Sequence, residues 1–290
     1  MVVPFGAGAV QDTIARSISA ELGQALGRSV IVENRAGAGG TIGTGSVAKA
    51  APDGTTLVLA GASHTIGGSL YARLPYHPLN DFSPIAHIGT ADYALIVNAA
   101  VPAKSVSEFI AFAKANPGKL NYASSGNGSA THLSMAYFAS MAGLEMVHVP
   151  LKSTGDAVNE VLAGRSHAVI AATIGAIPFA KDSRVRLIGM TGPQRSKFLP
   201  ELPTVAESGL PGYAFVSWIG VLGPAGIPKA MVDQLSAAMA TLMKDPVILE
   251  RLARQGIEAR YLGPEEFAAL LRKDFEGMAR VVKASGARID

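Results

Sequence analysis

The chain has 290 residues and a net charge of +3, with 49% hydrophobic residues, 16% charged residues and no cysteine. This composition is typical of a folded α/β protein and excludes intrinsic disorder, and the lack of cysteine excludes disulfides, thiolate catalysis, cysteine-type zinc sites and iron–sulfur clusters. The basic residues are scattered singly, which argues against nucleic acid as a partner, and no apolar run approaches the roughly 20 residues that span a bilayer.

The first part of the chain alternates strands with helices. A strand at VVPF precedes a helix in which Ile14, Ile18, Leu22 and Leu26 recur at helical spacing. We then predict, in order, a strand at SVIVEN, a glycine-rich turn at RAGAGGTIGTG, a helix around VAKAAPDG, a strand at TTLVLAG, a loop at SHTIGGSLY and strands at SPIAHIG and YALIVNA. Because the first residues already have the pattern of a strand, we expect a mature or truncated form of a longer protein.

The middle of the chain continues this alternation. The helix SVSEFIAFAKANPG begins with a capping box, Ser105 three residues before Glu108, and ends at Pro117 and Gly118. Further strands are predicted at LNYASSG, EMVHVPL, HAVIAAT and VRLIGMT, and further helices at ATHLSMAYFASMAG, TGDAVNEVLAG and near AIPFA. The alternation predicts mainly parallel sheets built from βαβ units.

The C-terminal part differs, because a strand at FVSWIGVLGPAG is followed mainly by amphipathic helices. These helices cover PKAMVDQLSAAMATLMK, DPVILERLARQG and EEFAALLRKDFEGMARVVKASG, with a short strand before the last. We expect this part to return to the first sheet, since the chain crosses between domains near residues 100 and 220. Residues 1–98 and 221–290 are therefore predicted to form domain 1, and residues 99–220 domain 2.

A polar junction, YASSGNGSATH at residues 122–132, is the strongest candidate for a binding site. A strand ending there leaves hydroxyls and backbone N–H groups at the N-terminus of a helix, which suits an anion. The candidate residues are Ser124, Ser125, Gly128, Ser129 and Thr131. The alternative is an ordinary N-cap made by Ser129 or Thr131. Four hydroxyl groups exceed what a cap needs, so we favour a ligand site.

The six histidines raise two questions. His132 follows the polar junction by one residue, and it either donates to a ligand or braces the loop; the sequence favours neither role. No two histidines have the i, i+4 spacing of a helical metal site, so we expect no metal.

Two further polar junctions follow predicted strands. At PFGAGAVQD the glycines allow close backbone approach, and Asp12 lies in the first helical turn, where the helix dipole favours a carboxylate. Taken alone, this junction is better explained by capping. At GASHTIGGS the candidates are Ser63, His64 and Thr65. Since ligands of open α/β sheets lie at the carboxyl ends of the strands, the three junctions predict one ligand cleft.

No cofactor or enzyme motif accounts for these junctions. A G-x-G-x-x-A pattern at Gly43, Gly45 and Ala48 does not directly follow a strand, and it lacks the acid about 20 residues later that a dinucleotide site needs. We therefore reject NAD binding and expect no cofactor. Neither a phosphate loop nor a nucleophile elbow occurs.

Stretches along nearly the whole chain carry a resemblance to one protein family. They are VPFGAGAVQDTIAR, VENRAGAGGTIG, VAKAAPDGTTL, LPYHPLNDFSPIAHIG, PGKLNYASSGNGSATHL, VHVPLKS, LPTVAESGLPGY, SWIGVLGPAGIP and VVKASGARID. Together they resemble the tripartite tricarboxylate transporter substrate receptors, the Bug or TctC family of periplasmic binding proteins. The resemblance implies an α/β protein of two domains, a type II-like Venus flytrap with a mainly parallel, helix-flanked sheet in each domain. It further implies a monomeric periplasmic receptor that closes on a small carboxylate and passes it to a membrane permease, without catalysis.

The resemblance also implies which residues contact the ligand. The family's loops correspond to Phe5 to Asp12 and to Ser124 to His132, with Ser63 to Thr65 beside them. The expected contacts are Phe5, Ala9, Asp12, Ser63, His64, Thr65, Ser124, Ser125, Gly128, Ser129, Thr131 and His132. Asp156 is expected as a cap or cleft residue, and Thr173 as part of the far wall of the cleft.

The chain departs from the family pattern at four positions. Ala9 stands where a glycine is expected, Leu151 and Ser153 replace an aromatic residue and a glycine, and His167 replaces an aspartate. We hypothesise that the loss of an acid near the cleft at position 167 admits a more anionic ligand. Weak or lost binding is equally compatible with the altered loops.

Three classes of function are open on these grounds. The leading hypothesis is a receptor that works by hinge closure, and the next is a metabolite sensor that passes its closed state to a signalling partner. An enzyme is third, because the sequence shows neither a nucleophile with its base nor a metal site.

Overall fold

The computed structural model describes residues 1–285, which form two compact units. Unit 1 comprises Met1–Thr90 and Ser217–Arg280, and unit 2 comprises Ala91–Val216 and the helix end that begins at Val281. The predicted domain 1 included residues 93–98, whereas this strand pairs with two other strands of unit 2. Residues 286–290, also assigned to domain 1, lie outside the described residues.

Unit 1 is built on a six-stranded sheet within the described residues. Its strands are β1 (Val2–Val3), β2 (Glu33–Asn34), β3 (Val58–Gly61), β4 (Phe82–Ala91), β10 (Ser217–Pro224) and β11 (Ile257–Leu262). Its helices are α1 (Val10–Leu26), α2 (Thr41–Ala48), α3 (Ala62–Leu70), α8 (Lys229–Leu242), α9 (Pro246–Arg254) and α10 (Pro264–Ser285), whose end lies in unit 2. The strand order is β11-β4-β10-β3-β1-β2, with β1 parallel to β2 and β3 and with β10 antiparallel to β3.

Unit 2 is built on a five-stranded sheet within the described residues. Its strands are β5 (Tyr93–Asn98), β6 (Leu120–Ser124), β7 (Met146–Pro150), β8 (Ala168–Ala172) and β9 (Val185–Met190). Its helices are α4 (Val106–Lys114), α5 (Ala130–Ala142), α6 (Thr154–Leu162) and α7 (Thr173–Ala176). The order is β7-β6-β8-β5-β9, with β6 parallel to β7 and β8, and β5 antiparallel to β8 and β9.

The predicted α/β class is confirmed, and both sheets are mixed because β5 and β10 run against their neighbours. Each unit places two parallel strands side by side, β1 beside β3 and β6 beside β8. Each of these strands leads into the next helix, so the loops that follow neighbouring strands lie at one edge of each sheet.

Two local predictions in unit 1 were wrong. Helix α2 begins at Thr41, inside the segment predicted as a glycine-rich turn, and α3 occupies the predicted loop at 63–71. In both helices small residues are buried against the protein, and this tertiary packing outweighs the weak helix propensity of glycine and threonine. The predicted strand SVIVEN contributes only β2, and Ile31 is 75% exposed.

No helix in residues 1–285 is both long enough and apolar enough to cross a membrane.

Candidate functional site

The junction between β6 and α5, residues 124–132, is called the serine loop below. Ser129 is the N-cap of α5: its Oγ accepts the N–H of His132 at 3.2 Å and donates to Gly126 O at 2.7 Å. Thr131 Oγ1 accepts the N–H of Ser125 at 2.8 Å. The capping alternative is therefore part of the structure, and Ser129 is the residue that caps.

The remaining hydroxyls of the serine loop also bind within the protein. Ser124 is fully buried, and its Oγ lies 2.6 Å from His148 Nε2 and accepts the N–H of Gly126 at 3.1 Å. Ser125 Oγ lies 2.9 Å from Thr131 Oγ1. These hydroxyls hold the loop in shape.

The donors that the serine loop leaves free include the His132 Nε2–H and several backbone amides. In the described residues, the N–H groups of Asn127, Ala130 and Thr131 have no hydrogen-bond partner. Ala130 and Thr131 are the first two residues of α5, where the helix geometry leaves N–H groups unpaired and the helix dipole favours negative charge. The loop therefore offers neutral N–H donors to an anion.

His132 braces the serine loop. Its Nδ1 accepts the N–H of Gly128 at 3.2 Å, so the ring proton is on Nε2. The ring stacks on His148, with ring centroids 4.0 Å apart. Burial, aided by the neighbouring His148, lowers the pKa of His132 to about 3, and burial lowers the pKa of His148 to about 4. These pKa values make both histidines neutral at pH 7, and for His132 the hydrogen bond from Gly128 requires the same.

Ser124 and His148 have the separation of a nucleophile and its base, which the sequence did not reveal. The hydroxyl of Ser124 is inaccessible, since the residue is 0% exposed. The contact links β6 to β7 below the loop.

Residues 5–12, between β1 and α1, are called the glycine loop. The side chain of Asp12 is buried, and its carboxylate accepts from Gly8 N at 2.9 Å, Arg16 Nε at 2.9 Å and Asn34 Nδ2 at 2.8 Å. Burial raises the pKa of Asp12, but these hydrogen bonds and the Arg16 charge outweigh it and lower the pKa below its usual value. Asp12 thus holds the loop, and both of its carboxylate oxygens accept hydrogen bonds from within unit 1.

The glycine loop also leaves backbone donors free. Ala9 is the N-cap of α1 and provides no side-chain cap, and Phe5 O accepts from Asn34 Nδ2 at 3.0 Å. The N–H groups of Val10 and Gln11, at the start of α1, have no partner in the described residues. Both loops therefore expose the same kind of donor.

The third junction forms the start of α3. His64 is buried: Nε2 lies 2.7 Å from Pro78 O, and burial lowers the pKa to about 4. Its Nδ1 has no partner, and a cavity just large enough for one water molecule lies beside it and Ser63. Thr65 Oγ1 lies 2.9 Å from Ala62 O and donates to Asp274 Oδ2 at 2.5 Å. Of the three predicted residues, Ser63 has a hydroxyl without a partner in the described residues.

The buried contact between Thr65 of α3 and the Asp274 carboxylate can be tested by substituting Asp274. It accepts from Thr65 and from Trp218 Nε1 at 2.9 Å, yet burial raises its pKa above the usual value. Ionised Asp274 thus costs folding free energy at pH 7, and we expect Asp274→Asn, which keeps an acceptor oxygen, to increase the free energy of unfolding measured in urea. Asp274→Ala leaves the Trp218 N–H unpaired and is expected to lower it by about 1–3 kcal/mol. A loss of stability in both variants would show that the charge itself is stabilising.

The last two expected residues, Asp156 and Thr173, lie in unit 2. Asp156 is exposed in the first turn of α6, where its Oδ2 accepts from Ser153 Oγ at 2.8 Å. Ser153, one of the departures from the family pattern, is the N-cap of α6. Thr173 is buried at the start of α7 and donates to Asp92 O at 2.8 Å. Capping explains Asp156, and the hydroxyl of Thr173 is occupied.

The expectation for His167 was wrong. Its Nδ1 lies 2.6 Å from Asn121 Oδ1, at the start of β6, whereas the serine loop begins at the other end of that strand. Asn121 and Ser124 are three residue steps apart along the strand, a distance of about 10 Å. The change from aspartate therefore removes no charge from the loop.

Sequence reasoning missed two residues that shape the loops. Asn34 donates to both Phe5 O and Asp12, and His148 supports both Ser124 and His132. Asn34 is the last residue of β2, and a polar residue at the end of a strand indicates a role in the loops at that edge of the sheet. His148 lies within β7, so its position in the sequence gave no such indication. No group of three or more His, Asp or Glu side chains in residues 1–285 is placed to hold a metal ion.

Comparison with known proteins identifies the family. Residues 14–287 match the family model of the tripartite tricarboxylate transporter family receptor. The periplasmic binding protein BugD is 32% identical, with a TM-score of 0.92 over 99% of this chain and 97% of its own. Rpa4515 of R. palustris, solved with adipate, is 31% identical, with a TM-score of 0.93 over 99% and 97% of the two chains.

A further solved structure shows a second ligand in this fold. MatC (Rpa3494) from Rhodopseudomonas palustris, with bound malate, is 30% identical, with a TM-score of 0.89 over 97% of both chains. The family resemblance expected from the sequence motifs is confirmed. The chain belongs to the Bug/TctC family of tripartite tricarboxylate transporter receptors, which are extracytoplasmic solute-binding proteins.

Proposed function

We propose that this protein is a periplasmic receptor that binds a small organic carboxylate in the cleft predicted between its domains and delivers it to a tripartite-type permease. The observation that carries the proposal is the pair of free backbone N–H groups at the start of α5, on a loop whose hydroxyls are all engaged elsewhere. Such groups, at the positive end of a helix dipole, replace the water shell of an anion.

The charges around the loops favour a carboxylate over a cation. The serine loop contains no charged residue, and the Asp12 carboxylate of the glycine loop is neutralised by Arg16 at 2.9 Å. The relatives Rpa4515 and MatC were solved with adipate and malate, both dicarboxylates. Dicarboxylates are thus the first ligands to test on this chain.

A panel of acids tests the ligand class. Thermal unfolding is measured with mono-, di- and tricarboxylates, amino acids and aromatic acids. A ligand that binds only the folded protein, at 100 times its dissociation constant, adds about 2.7 kcal/mol to stability. We expect a dicarboxylate to give the largest shift. If no acid shifts the transition and mass spectrometry finds no acid released on denaturation, the proposal fails.

A proline substitution tests the donor groups themselves. Ala130→Pro removes a free N–H at the first position of α5, where proline is well tolerated, and Ser129 already has the extended conformation (φ −70°, ψ 159°) that precedes proline. We expect at least about a tenfold loss of affinity for the ligand found in the panel, with little change in stability.

The matched control is Lys229→Pro, at the first position of α8. It makes the same backbone change in a helix to which no ligand role is assigned, and it removes only the exposed ion pair with Asp233. We expect unchanged affinity. Equal affinities in Ala130→Pro and Lys229→Pro would place the ligand away from the start of α5.

A further inference from the structure

We propose that Asp12 and His132 are equivalent positioning residues of an internal repeat, and that each holds its loop so that the first N–H groups of the helix face a ligand. The inference rests on the proposed function for the identity of that ligand. The positioning role itself rests on hydrogen bonds within each unit.

The two loops share a sequence pattern, G-x-G-x-x-x-[D/H], at residues 6–12 and 126–132. In each, the N–H of the second glycine donates to the side chain four residues later: Gly8 to Asp12 Oδ2 at 2.9 Å, and Gly128 to His132 Nδ1 at 3.2 Å. The side chain at the third helical position thus has one role in both loops.

The backbone repeats as closely as the hydrogen bonds. Gly8 has φ of 82° and Gly128 has φ of 79°, values that favour glycine. The N-cap residues that follow, Ala9 and Ser129, have φ of −66° and −70° with ψ of 159° in both. Each N-cap N–H donates to the carbonyl three residues earlier at 3.2 Å. An ordinary helix cap does not need a side chain that accepts from the glycine N–H. The presence of such an acceptor in both loops therefore argues against chance similarity.

The repeat also explains why the two acceptors differ chemically. Four residues after Asp12 stands Arg16, which pairs with the carboxylate. Four residues after His132 stands Ala136, so the same position in unit 2 supplies no cation. A buried carboxylate without a partner is costly, whereas a neutral imidazole accepts the same hydrogen bond without that cost. Each loop therefore has the acceptor that its surroundings can stabilise.

Two substitutions of His132 distinguish the effect of the Nδ1 acceptor from the effect of ring stacking. Asparagine places an oxygen near the position of Nδ1, and glutamine places it near Nε2, while both variants lose the stacking on His148. We expect hydrogen–deuterium exchange of the Gly128 amide to stay slow in His132→Asn and to become at least about tenfold faster in His132→Gln. Thermal unfolding of both variants shows whether each is folded and how much stability the lost stacking costs.

The same comparison applies to unit 1. Asp12→Asn keeps an acceptor for Gly8, and Asp12→Leu removes it with similar volume. We expect faster exchange of the Gly8 amide in Asp12→Leu alone. Equal exchange of the glycine amide within each pair of folded variants would overturn the positioning role.

Titration of adipate and of malate into the same variants tests the link to binding. We expect His132→Asn to keep the affinity of the wild type and His132→Gln to lose about tenfold or more. Equal affinity in these two variants, with exchange different, would refute the link between loop geometry and binding. Failure of the wild type to bind either acid would count against the proposed dicarboxylate ligand and leave the exchange result to decide the positioning role.

Discussion

Gly43→Ala is expected to lower the free energy of unfolding by about 1–3 kcal/mol. A Cβ atom at Gly43 would lie 2.5 Å from Arg35 O and 2.8 Å from Pro4 Cα. Both atoms belong to the backbone, so neither can rotate away as a side chain would. Helix α2 must therefore shift away from the segment that follows β1.

The same substitution should also weaken ligand binding, because Pro4 directly precedes the glycine loop. A displaced Pro4 moves Phe5 and the start of α1, where the free N–H groups lie. Urea denaturation measures the loss of stability, and titration with the ligand found by thermal unfolding measures the loss of affinity. Both losses together would indicate that packing of α2 sets the position of the glycine loop.

Gly277→Ala is the matched control for stability. Gly277 lies inside α10, and the nearest atom to its added Cβ is the guanidinium of Arg280, at 4.0 Å. Without an obstruction, alanine should stabilise the helix by about 0.5–1 kcal/mol. A stabilising effect of Gly43→Ala as well would contradict the close approach of α2 to Pro4.

Sequence patterns correctly predicted the helices that are specified by neighbouring residues, through a capping box or a helical repeat of apolar residues. The Ser105 hydroxyl accepts the N–H of Glu108, as the capping box indicated, and Ile14, Ile18 and Leu22 are buried along α1. Helix α3 has a weaker pattern, because Ile66 and Leu70 are its only large apolar residues, and burial of the small and polar residues around them in unit 1 favours the helix. Antiparallel β5 and β10 are likewise set by long-range pairing, which alternation of strands and helices does not reveal.

At the loops, the sequence identified where polar groups gather but not which of them are free. The excess of hydroxyls predicted a ligand site, whereas Ser129 and Thr131 bind within the loop, Ser124 binds His148 of β7, and backbone N–H groups are left unpaired. Hydroxyl counts alone cannot show this, because pairing depends on loop conformation. The error at His167 has a similar origin, since strand register determines which end of the sheet a residue occupies.

Acidification is expected to destabilise the protein strongly between pH 6.5 and pH 4. Burial lowers the pKa of His64 to about 4, and burial with the neighbouring His148 lowers that of His132 to about 3. In the unfolded chain histidine titrates near 6.5, so in this window the unfolded state binds protons that the folded state does not. Stability therefore falls as the pH falls, by about 1.4 kcal/mol per pH unit for each such histidine.

The slope of stability against pH can be assigned to one residue with His132→Asn. This variant cannot take up the proton at position 132, so urea denaturation at pH 6, 5.5 and 5 should show a slope smaller by up to about 1.4 kcal/mol per pH unit. Titration of the Asp12 carboxylate does not contribute to this slope. Its pKa is lowered, so its stabilising effect is lost only at pH values below the usual pKa of aspartate. An unchanged slope would mean that His132 is protonated in the folded protein at these pH values, and the hydrogen bond from Gly128 to its Nδ1 would then not exist.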